Sequence, residues 1–150
     1  MQALVTGIGN HFSQQVAEAY HPFYTAIGGR LRDGVAWPED GEEDQAILSL
    51  PDDLPASMMR NKRNEILVQF DLYSWSTNSA VIGGIYDNLE DWFDDCEAAK
   101  GSWAALSVSG YRVQLVDRAG TFRFSPDMSP GEEEAYWRYV ARYLVTLLKL

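Results

Sequence analysis

The stretch that decides the fold is Glu65-Ile66-Leu67-Val68-Gln69-Phe70-Asp71-Leu72-Tyr73-Ser74-Trp75, near the middle of the chain. Apolar side chains occupy every second position from Ile66 to Leu72, and this alternation predicts a strand with one buried face. The other face is more polar and contains Gln69, Asp71, Tyr73 and Trp75. We therefore expect a central strand that is buried on its Ile66, Val68, Phe70 and Leu72 side.

A second helix of the chain is predicted directly after this strand. Ser76, Thr77 and Asn78 offer capping side chains before it. From Ala80 to Asp95 one face is apolar, with Val81, Ile82, Ile85, Leu89, Trp92, Phe93 and Cys96, and the other is acidic. We expect Ile85, Leu89 and Trp92 to pack against the buried face of the strand. Gly83-Gly84 costs about 1 kcal/mol per residue in a helix and indicates close packing there.

Upstream, apolar side chains three and four residues apart predict a first helix; they are Phe12, Val16, Tyr20, Phe23, Ile27 and Leu31. Because proline suits the first position of a helix, we expect a short lead-in and a main helix over Pro22–Leu31. Short strands are predicted at Val35–Trp37 and Ala46–Leu50. The acidic, turn-rich stretch from Pro38 to Asp44 separates them, and Pro51 to Asn61 is predicted to be an irregular loop.

Downstream, period-two patterns predict strands at Trp103–Ser109 and Tyr111–Leu115, then a turn at Ala119-Gly120 into Thr121–Phe124. The C-terminal segment fits both the period of a helix and the period of a strand. Periodicity slightly favours a helix, whereas its aromatic and β-branched residues favour a strand. We predict a single α+β domain over residues 1–150, with a mixed or antiparallel sheet of about four to six strands packed against two helices.

Composition excludes some functions. The chain has 150 residues and a net charge of -10. Phosphate binding depends on Lys and Arg, so a nucleic-acid or anionic-membrane role is disfavoured. One cysteine, Cys96, is typical of a reducing compartment. Residues 1–10 lack the pattern of a secretory signal, and no apolar run approaches the ~20 residues of a membrane span. We expect a soluble protein made in a cytoplasm.

No residue pattern predicts catalysis, a cofactor or a metal. His11 and His21 have no further ligands at metal spacing, and we interpret them as surface or capping histidines. Cys96 lies on an apolar stripe beside acidic neighbours that raise a thiol pKa, so it is interpreted as structural. Gly7-Ile8-Gly9 is half of a dinucleotide fingerprint, and the Asp52-Asp53 and Asp94-Asp95 pairs are typical of solvated runs. We predict that the chain is not an enzyme.

Two loops are long for a small domain and lack apolar anchors: the acidic loop and the loop that contains Met58-Met59. They are either surface loops or segments that order against a neighbouring subunit. The candidate interaction residues are Glu39, Asp40, Glu42, Glu43, Asp44, Met58, Met59, Arg60, Lys62 and Arg63.

The order of elements and several local patterns resemble the tail terminator proteins of long-tailed bacteriophages, also called tail completion or head–tail joining proteins. The matching stretches are Tyr24-Thr25-Ala26-Ile27-Gly28-Gly29-Arg30-Leu31, Val35-Ala36-Trp37-Pro38, the strand from Val68 to Ser76 and the helix from Ala80 to Asp95. The resemblance covers Pro22 to Leu150 and leaves Met1 to His21 as an N-terminal extension. Other departures are the acidic loop and Glu132-Glu133-Glu134. The resemblance favours a strand for Arg138–Leu148.

The resemblance implies a structural virion protein, assembled in a host bacterial cytoplasm and located in the tail or neck. Its subunits would form a homo-oligomeric ring, usually a hexamer, that caps the tail tube and joins it to the head connector. The implied partners are other copies of the chain, the tail tube protein and a head–tail connector or head-completion protein. DNA would pass through the ring without specific binding, and no membrane or cofactor is involved. The alternatives are a head-completion or connector subunit, and a small-ligand-binding α+β domain.

Overall fold

The computed structural model describes residues 2–34, 43–51, 63–124 and 136–150. In chain order the elements are α1 (Gln2–Phe12), α2 (Pro22–Ala26), β1 (Leu31–Asp33), β2 (Gln45–Ser49), β3 (Arg63–Ser74), α3 (Ser79–Phe93), β4 (Tyr111–Phe124) and β5 (Trp137–Lys149). The predicted strand at Val35–Trp37 and almost all of the predicted loop at Pro51–Asn61 lie outside the described residues.

The strands form one five-stranded sheet in the order β1-β2-β3-β5-β4. β1 and β2 are parallel, whereas every other neighbouring pair is antiparallel. β3 and β5 are paired over their whole common length, from Arg63 with Leu148 to Ser74 with Trp137. The predicted α+β class and mixed sheet are confirmed.

The core lies between the three helices of the described chain and one face of the sheet, which we call the helix face. Four side chains of β3 on this face, Ile66, Val68, Phe70 and Leu72, are at most 5% exposed, as the alternation predicted. Phe70 contacts Trp92 of α3, with ring centroids 6.0 Å apart. Tyr143 and Phe93 also pack edge-on against Phe70, at 6.1 and 5.0 Å. The predicted central strand and its helix are therefore confirmed.

α3 begins as the sequence predicted. Asn78 is its N-cap, and the side-chain oxygen accepts a hydrogen bond from the Ala80 amide at 2.9 Å. The prediction of close packing at Gly83-Gly84 is wrong. A Cβ on either glycine would meet nothing within 4 Å, so both residues lie on open parts of the helix.

The N-terminal helix differs from the prediction. α1 covers Gln2–Phe12, and Leu4, Ile8 and Phe12 belong to the same buried cluster as α3. The predicted stripe fails after Phe12 because Ala17 and Glu18 have positive φ angles of 52° and 65° and form a tight turn. The N-terminal stretch that the family resemblance leaves as an extension thus contributes core side chains.

The main helix predicted over Pro22–Leu31 is shorter in the structure. α2 ends at Ala26, and proline does occupy its start. Gly28 and Gly29 have φ angles of 56° and 74°, a left-handed conformation that ends a helix readily. Leu31 consequently belongs to β1 rather than to the helix.

Two predictions for the sequence in and before β4 are wrong, and the choice between helix and strand for the C-terminal segment is settled. Trp103–Ser109 contains isolated bridges rather than a strand. Gly120, predicted as part of a turn, lies inside β4 at φ 146°, where the register shifts as at a β-bulge. The C-terminal segment is the strand β5, which pairs along its length with β3 on one side and β4 on the other.

We predict that Phe70→Ala lowers the free energy of unfolding by about 3–5 kcal/mol, because a fully buried aromatic ring leaves a cavity. The matched control is Phe122→Ala, since the Phe122 side chain is 48% exposed, and we expect a change below about 1 kcal/mol there. Denaturant unfolding of both variants measures the difference. Equal losses of unfolding free energy in the two variants would contradict the described packing of β3.

The two glycines of α1 provide a second matched pair. A Cβ on Gly7 would lie 2.5 Å from the Ser107 carbonyl oxygen, whereas a Cβ on Gly9 would meet nothing within 4 Å. Gly7→Ala should destabilise the protein by about 1–3 kcal/mol through overpacking. Gly9→Ala should stabilise it by up to about 1 kcal/mol through helix propensity. Thermal unfolding monitored by circular dichroism distinguishes the two, and a stabilising Gly7→Ala would contradict the packing of α1 on the segment at Ser107.

Candidate interaction surface

The sheet has a second face, opposite the helices, which we call the open face. Strand side chains alternate between faces, and the register assigns the residues of this one. They include Ile47, Leu67, Gln69, Asp71, Tyr73, Leu115, Asp117, Phe122, Arg138, Val140, Arg142 and Leu144. The sequence predicted Gln69, Asp71 and Tyr73 on this face of β3. The face is exposed only in part, since Ile47, Tyr73 and Val140 are at most 6% exposed.

A polar row crosses the open face between β5 and β3. Arg142 donates from Nε to Gln69 Oε1 at 2.9 Å, and Gln69 donates from Nε2 to Asp71 Oδ1 at 2.9 Å. The Arg138 guanidinium lies 3.5 Å from the Asp71 carboxylate. Hydrogen bonds to charged groups are stronger than neutral ones, so this row fixes the side chains in place. No local sequence pattern predicted it, because Gln69 and Arg142 are 73 residues apart.

β4 forms a long outer edge of the sheet, and apolar side chains project from it on the open face. Leu115 is 38% and Phe122 is 48% exposed, and we call this pair the β4 ridge. The Arg142 guanidinium lies over the Phe122 ring, 5.1 Å from its centroid. Among the described strands, β5 alone pairs with β4. Exposed aromatic and Arg side chains beside an unpaired strand edge are typical of a protein interface.

A hollow of about 690 Å³ lies at the other side of the open face. Its apolar wall includes Val5, Ile47 and Leu50, and its polar wall includes Asp33 and Asp71. Three residues on its rim adjoin stretches outside the described chain; they are Gly34, Pro51 and Tyr136. The hollow therefore lies where the acidic loop and the Met58-containing loop depart from the sheet.

Of the ten predicted interaction residues, Glu43, Asp44 and Arg63 lie in the described chain. The other seven fall outside the described residues: Glu39, Asp40, Glu42, Met58, Met59, Arg60 and Lys62. Arg30 holds the end of the acidic loop, because its Nε donates to the Asp44 carbonyl oxygen at 2.8 Å and its guanidinium is 3.4 Å from Glu43. Arg63 pairs instead with Glu65, at 3.1 Å on β3 itself.

The structure does not bring these described residues together. Gln45, which follows Asp44, pairs with Tyr73 at one end of β3, and Arg63 begins β3 at the other end. Ten residues of strand separate the two positions, a distance of about 33 Å. The acidic and basic candidate segments thus join their following strands at opposite ends of β3.

Histidine and cysteine side chains are part of the core. His11 and His21 are 8% and 2% exposed, so neither is a surface histidine, and the prediction of surface or capping histidines is wrong for His11. The His21 ring stacks on Trp92 at 4.9 Å and 3° between planes, and His11 stacks on the same indole at 5.4 Å. Both imidazole rings pack here as flat aromatic side chains, a role that the spacing of metal ligands in the sequence does not indicate.

His21 also joins two helices by hydrogen bonds. As the N-cap of α2 it accepts at Nδ1 from the Tyr24 amide, 3.2 Å away, and its Nε2 donates to the Phe12 carbonyl at 2.9 Å. Both contacts need the neutral ring with its proton on Nε2. Burial is the largest cause that lowers the pKa of His21 to about 4; the hydrogen bond to Phe12 opposes this shift, and the nearby His11 adds to it. The predicted capping role is confirmed for His21.

Cys96 is buried, in agreement with its structural interpretation. Burial raises the pKa of its thiol to about 12, and the acidic neighbours Glu97 and Asp94 add to the effect. Within the described ranges, no group of three or more His, Cys, Asp or Glu side chains could hold a metal ion. In the same ranges, no helix is long and apolar enough to cross a membrane.

The comparisons with known proteins give a structural likeness and no match in sequence. No family model and no curated protein matches the chain. Among solved structures, a chain described as "Virion of native gene transfer agent (GTA) particle" is similar with a TM-score of 0.69 at 12% identity. The likeness covers 98% of this chain and 98% of that one. At this identity it shows a shared fold over the whole length.

We predict that His21 makes stability depend on pH between its unfolded and folded pKa values. The folded state binds fewer protons than the unfolded state in this pH range. The contribution of His21 to the free energy of unfolding is therefore complete above about pH 6.5 and is lost as the pH falls toward 4. One such group changes the free energy of unfolding by at most about 1.4 kcal/mol per pH unit. Denaturant unfolding at pH 7 and pH 5 measures it.

The matched variant is His21→Asn, because asparagine keeps an N-cap acceptor and does not titrate. We expect this variant to be less stable than the wild type at pH 7, since the stacking on Trp92 is lost, and to lose less stability on acidification. Parallel pH profiles of the two proteins would mean that His21 is not buried in its neutral form.

Proposed function

We propose that this chain is a structural virion protein, and specifically a ring-forming tail terminator or neck subunit that caps a phage tail tube and joins it to the head connector. The observation that supports this most strongly is the fold shared over 98% of the chain with a gene transfer agent virion chain. The sequence resemblance to tail terminators rests on different features from this shared fold, namely the local residue patterns of the strand and the following helix. Two independent kinds of likeness therefore favour a phage-like particle.

The surfaces of the chain suit assembly. A 14-residue edge strand with exposed Leu115 and Phe122 gives one surface, and the hollow at the other side of the open face gives another. We propose that other copies of the chain, the tail tube protein and the connector bind these surfaces and the candidate interaction residues of the two loops. The particle is then the place where the protein acts, after synthesis in a host cytoplasm.

We propose further that the chain is not an enzyme. The side chains with the chemistry of a nucleophile or base, Cys96, His11 and His21, are buried in packing contacts. Burial raises the pKa of the Cys96 thiol and lowers the pKa of both imidazoles, so each group is held in its uncharged form. Reactive cysteines have the opposite environment, with nearby positive charge and access to solvent.

A small-ligand-binding domain is the alternative that a specific observation favours. The hollow has a volume of about 690 Å³, which is within the range of ligand pockets. Its polar groups, however, already bind one another, since Gln69, Asp71 and Arg138 form the row described above. A ligand would have to displace these contacts, so we favour assembly over ligand binding.

The test begins in the particles that encode this chain. Quantitative mass spectrometry of purified particles should detect the protein in a fixed ratio to the tail tube protein. Its absence would overturn the proposed function.

The acidic loop gives the second arm of the test. We would delete Glu39 to Glu42 and leave Glu43 and Asp44 in place, because these two contact Arg30. A matched control of equal length replaces Glu39, Asp40 and Glu42 by Gln, Asn and Gln, which removes charge but no backbone. We expect the deletion variant to fold normally, with tails that fail or grow too long in electron micrographs. Normal infectious particles would remove this loop from the mechanism.

A further inference from the structure

We propose that the Glu97 carboxylate closes the middle of the β4 edge to strand addition, and that the strand it excludes is β4 of a second copy of the chain. The contact lies within one folded chain and does not depend on the proposed function. Three features carry it: the length of the edge, the register of β4 and the hydrogen bond that Glu97 accepts there.

The two edges of the sheet differ in length. β1 has three residues, whereas β4 has 14, and no described strand pairs with the outer side of β4. An edge strand offers unpaired N–H and C=O groups to other chains. Natural proteins blunt such edges with short strands, with bulges or with a covering segment. The β1 edge is blunted by its shortness, so only the β4 edge needs a further device.

The register of β4 leaves a short regular stretch in the middle of this edge. It shifts between Val113 and Leu115 and again between Arg118 and Gly120. Bulges bend a strand and interrupt the ladder that a partner strand would follow. Because the backbone groups of successive residues point to opposite sides of a strand, a partner would find two outward-facing residues between the shifts.

Val116 is one of these outward-facing residues, and its amide is already bonded. Val116 N donates to Glu97 Oε2 at 3.2 Å. The other, Arg118, is bound through its guanidinium to Glu90 and Asp94 at the end of α3. A strand that added here would have to displace the Glu97 carboxylate before a ladder could form. Partners that bind the side chains of the β4 ridge are not excluded in this way.

Glu97 is held in place by the residue before it. Cys96 is 1% exposed in the core, and its carbonyl accepts a hydrogen bond from the Leu106 amide at 2.8 Å. The backbone next to Glu97 is therefore fixed, so less conformational entropy is lost when the carboxylate binds the edge. No local pattern indicates this contact, because Glu97 and Val116 are 19 residues apart in the sequence.

β4 of a second copy fits the edge once the carboxylate is removed. Two identical edges can pair antiparallel about a two-fold axis. With the axis at Val116, the opposed pairs in the regular stretch are Val116 with its copy and Leu115 with Asp117. No like charges face each other in these pairs, and like charges directly opposite are what destabilise such a contact. Leu115, which is 38% exposed, would also meet its copy on the diagonal.

The test compares three variants of equal net charge. Glu97→Ala removes the acceptor, Glu97→Gln keeps an acceptor oxygen on a side chain of the same length, and Asp87→Ala removes an exposed carboxylate of α3. Each substitution removes one negative charge, so the long-range repulsion between copies is matched. Sedimentation velocity over a range of concentrations measures self-association, and near-ultraviolet circular dichroism verifies that each variant is folded.

We expect Glu97→Ala to associate at least about tenfold more tightly than Asp87→Ala, because its freed edge amides find new partners in another chain. Glu97→Gln should stay within about twofold of Asp87→Ala, since its side-chain oxygen still accepts from the Val116 amide. Equal association of Glu97→Ala and Asp87→Ala would overturn the proposal. Association of Glu97→Gln as tight as that of Glu97→Ala would overturn it as well.

Amide hydrogen exchange identifies the strand that pairs. In dilute Glu97→Ala the Val116 amide should exchange about tenfold faster than in the wild type, because its acceptor is gone. At concentrations where this variant associates, protection of the Val116 amide should return. Association without that protection would place the contact on another surface, and association with loss of the near-ultraviolet signal would come from unfolded chains. Either result would overturn the proposal, whether or not the protein is found in particles.

Discussion

The packing of aromatic rings around Trp92 is the interaction on which the rest of the structure depends. Its indole contacts Phe70 of β3 at 6.0 Å, Phe23 of α2 at 5.4 Å and Phe12 of α1 at 5.7 Å. One side chain of α3 thus holds two other helices and the sheet together. Aromatic pairs in these geometries stabilise a core beyond their buried area. The neutral state of His21, which stacks on the same ring, follows from this position.

The sequence could predict β3 and α3 because their patterns are local. Alternation over Ile66–Leu72 and the Asn78 cap both act within a few residues, and the structure contains them where they were expected. α1 was missed although Leu4, Ile8 and Phe12 stand four residues apart. Gly7-Ile8-Gly9 matches only half of a dinucleotide fingerprint in the sequence, whereas in the structure Gly7 allows close approach to Ser107. Glycine alone does not distinguish a loop from a tightly packed helix.

Other features depend on contacts that no local pattern contains. Gly120 resembles a turn residue, and only pairing with β5 shows that the strand continues through a bulge. The period of the C-terminal segment slightly favours a helix, whereas its pairing with β3 and β4 makes it a strand. The polar row of Gln69, Asp71 and Arg142 joins residues far apart in the chain. The candidate residues predicted from the sequence therefore lie in the loops, whereas no local pattern indicated the surface that the sheet provides.

Net charge is a poor guide to what an individual surface binds. At physiological ionic strength the Debye length is about 8 Å, so exposed charges on opposite edges of the sheet, about 19 Å apart, are largely screened from one another. A partner at the β4 edge meets the local excess of arginine, whereas the net charge of -10 governs only the behaviour of the whole molecule at long range. The exclusion of anionic partners from composition therefore holds for the chain as a unit. It does not extend to the β4–β5 strands, which contain six basic residues and one acidic residue.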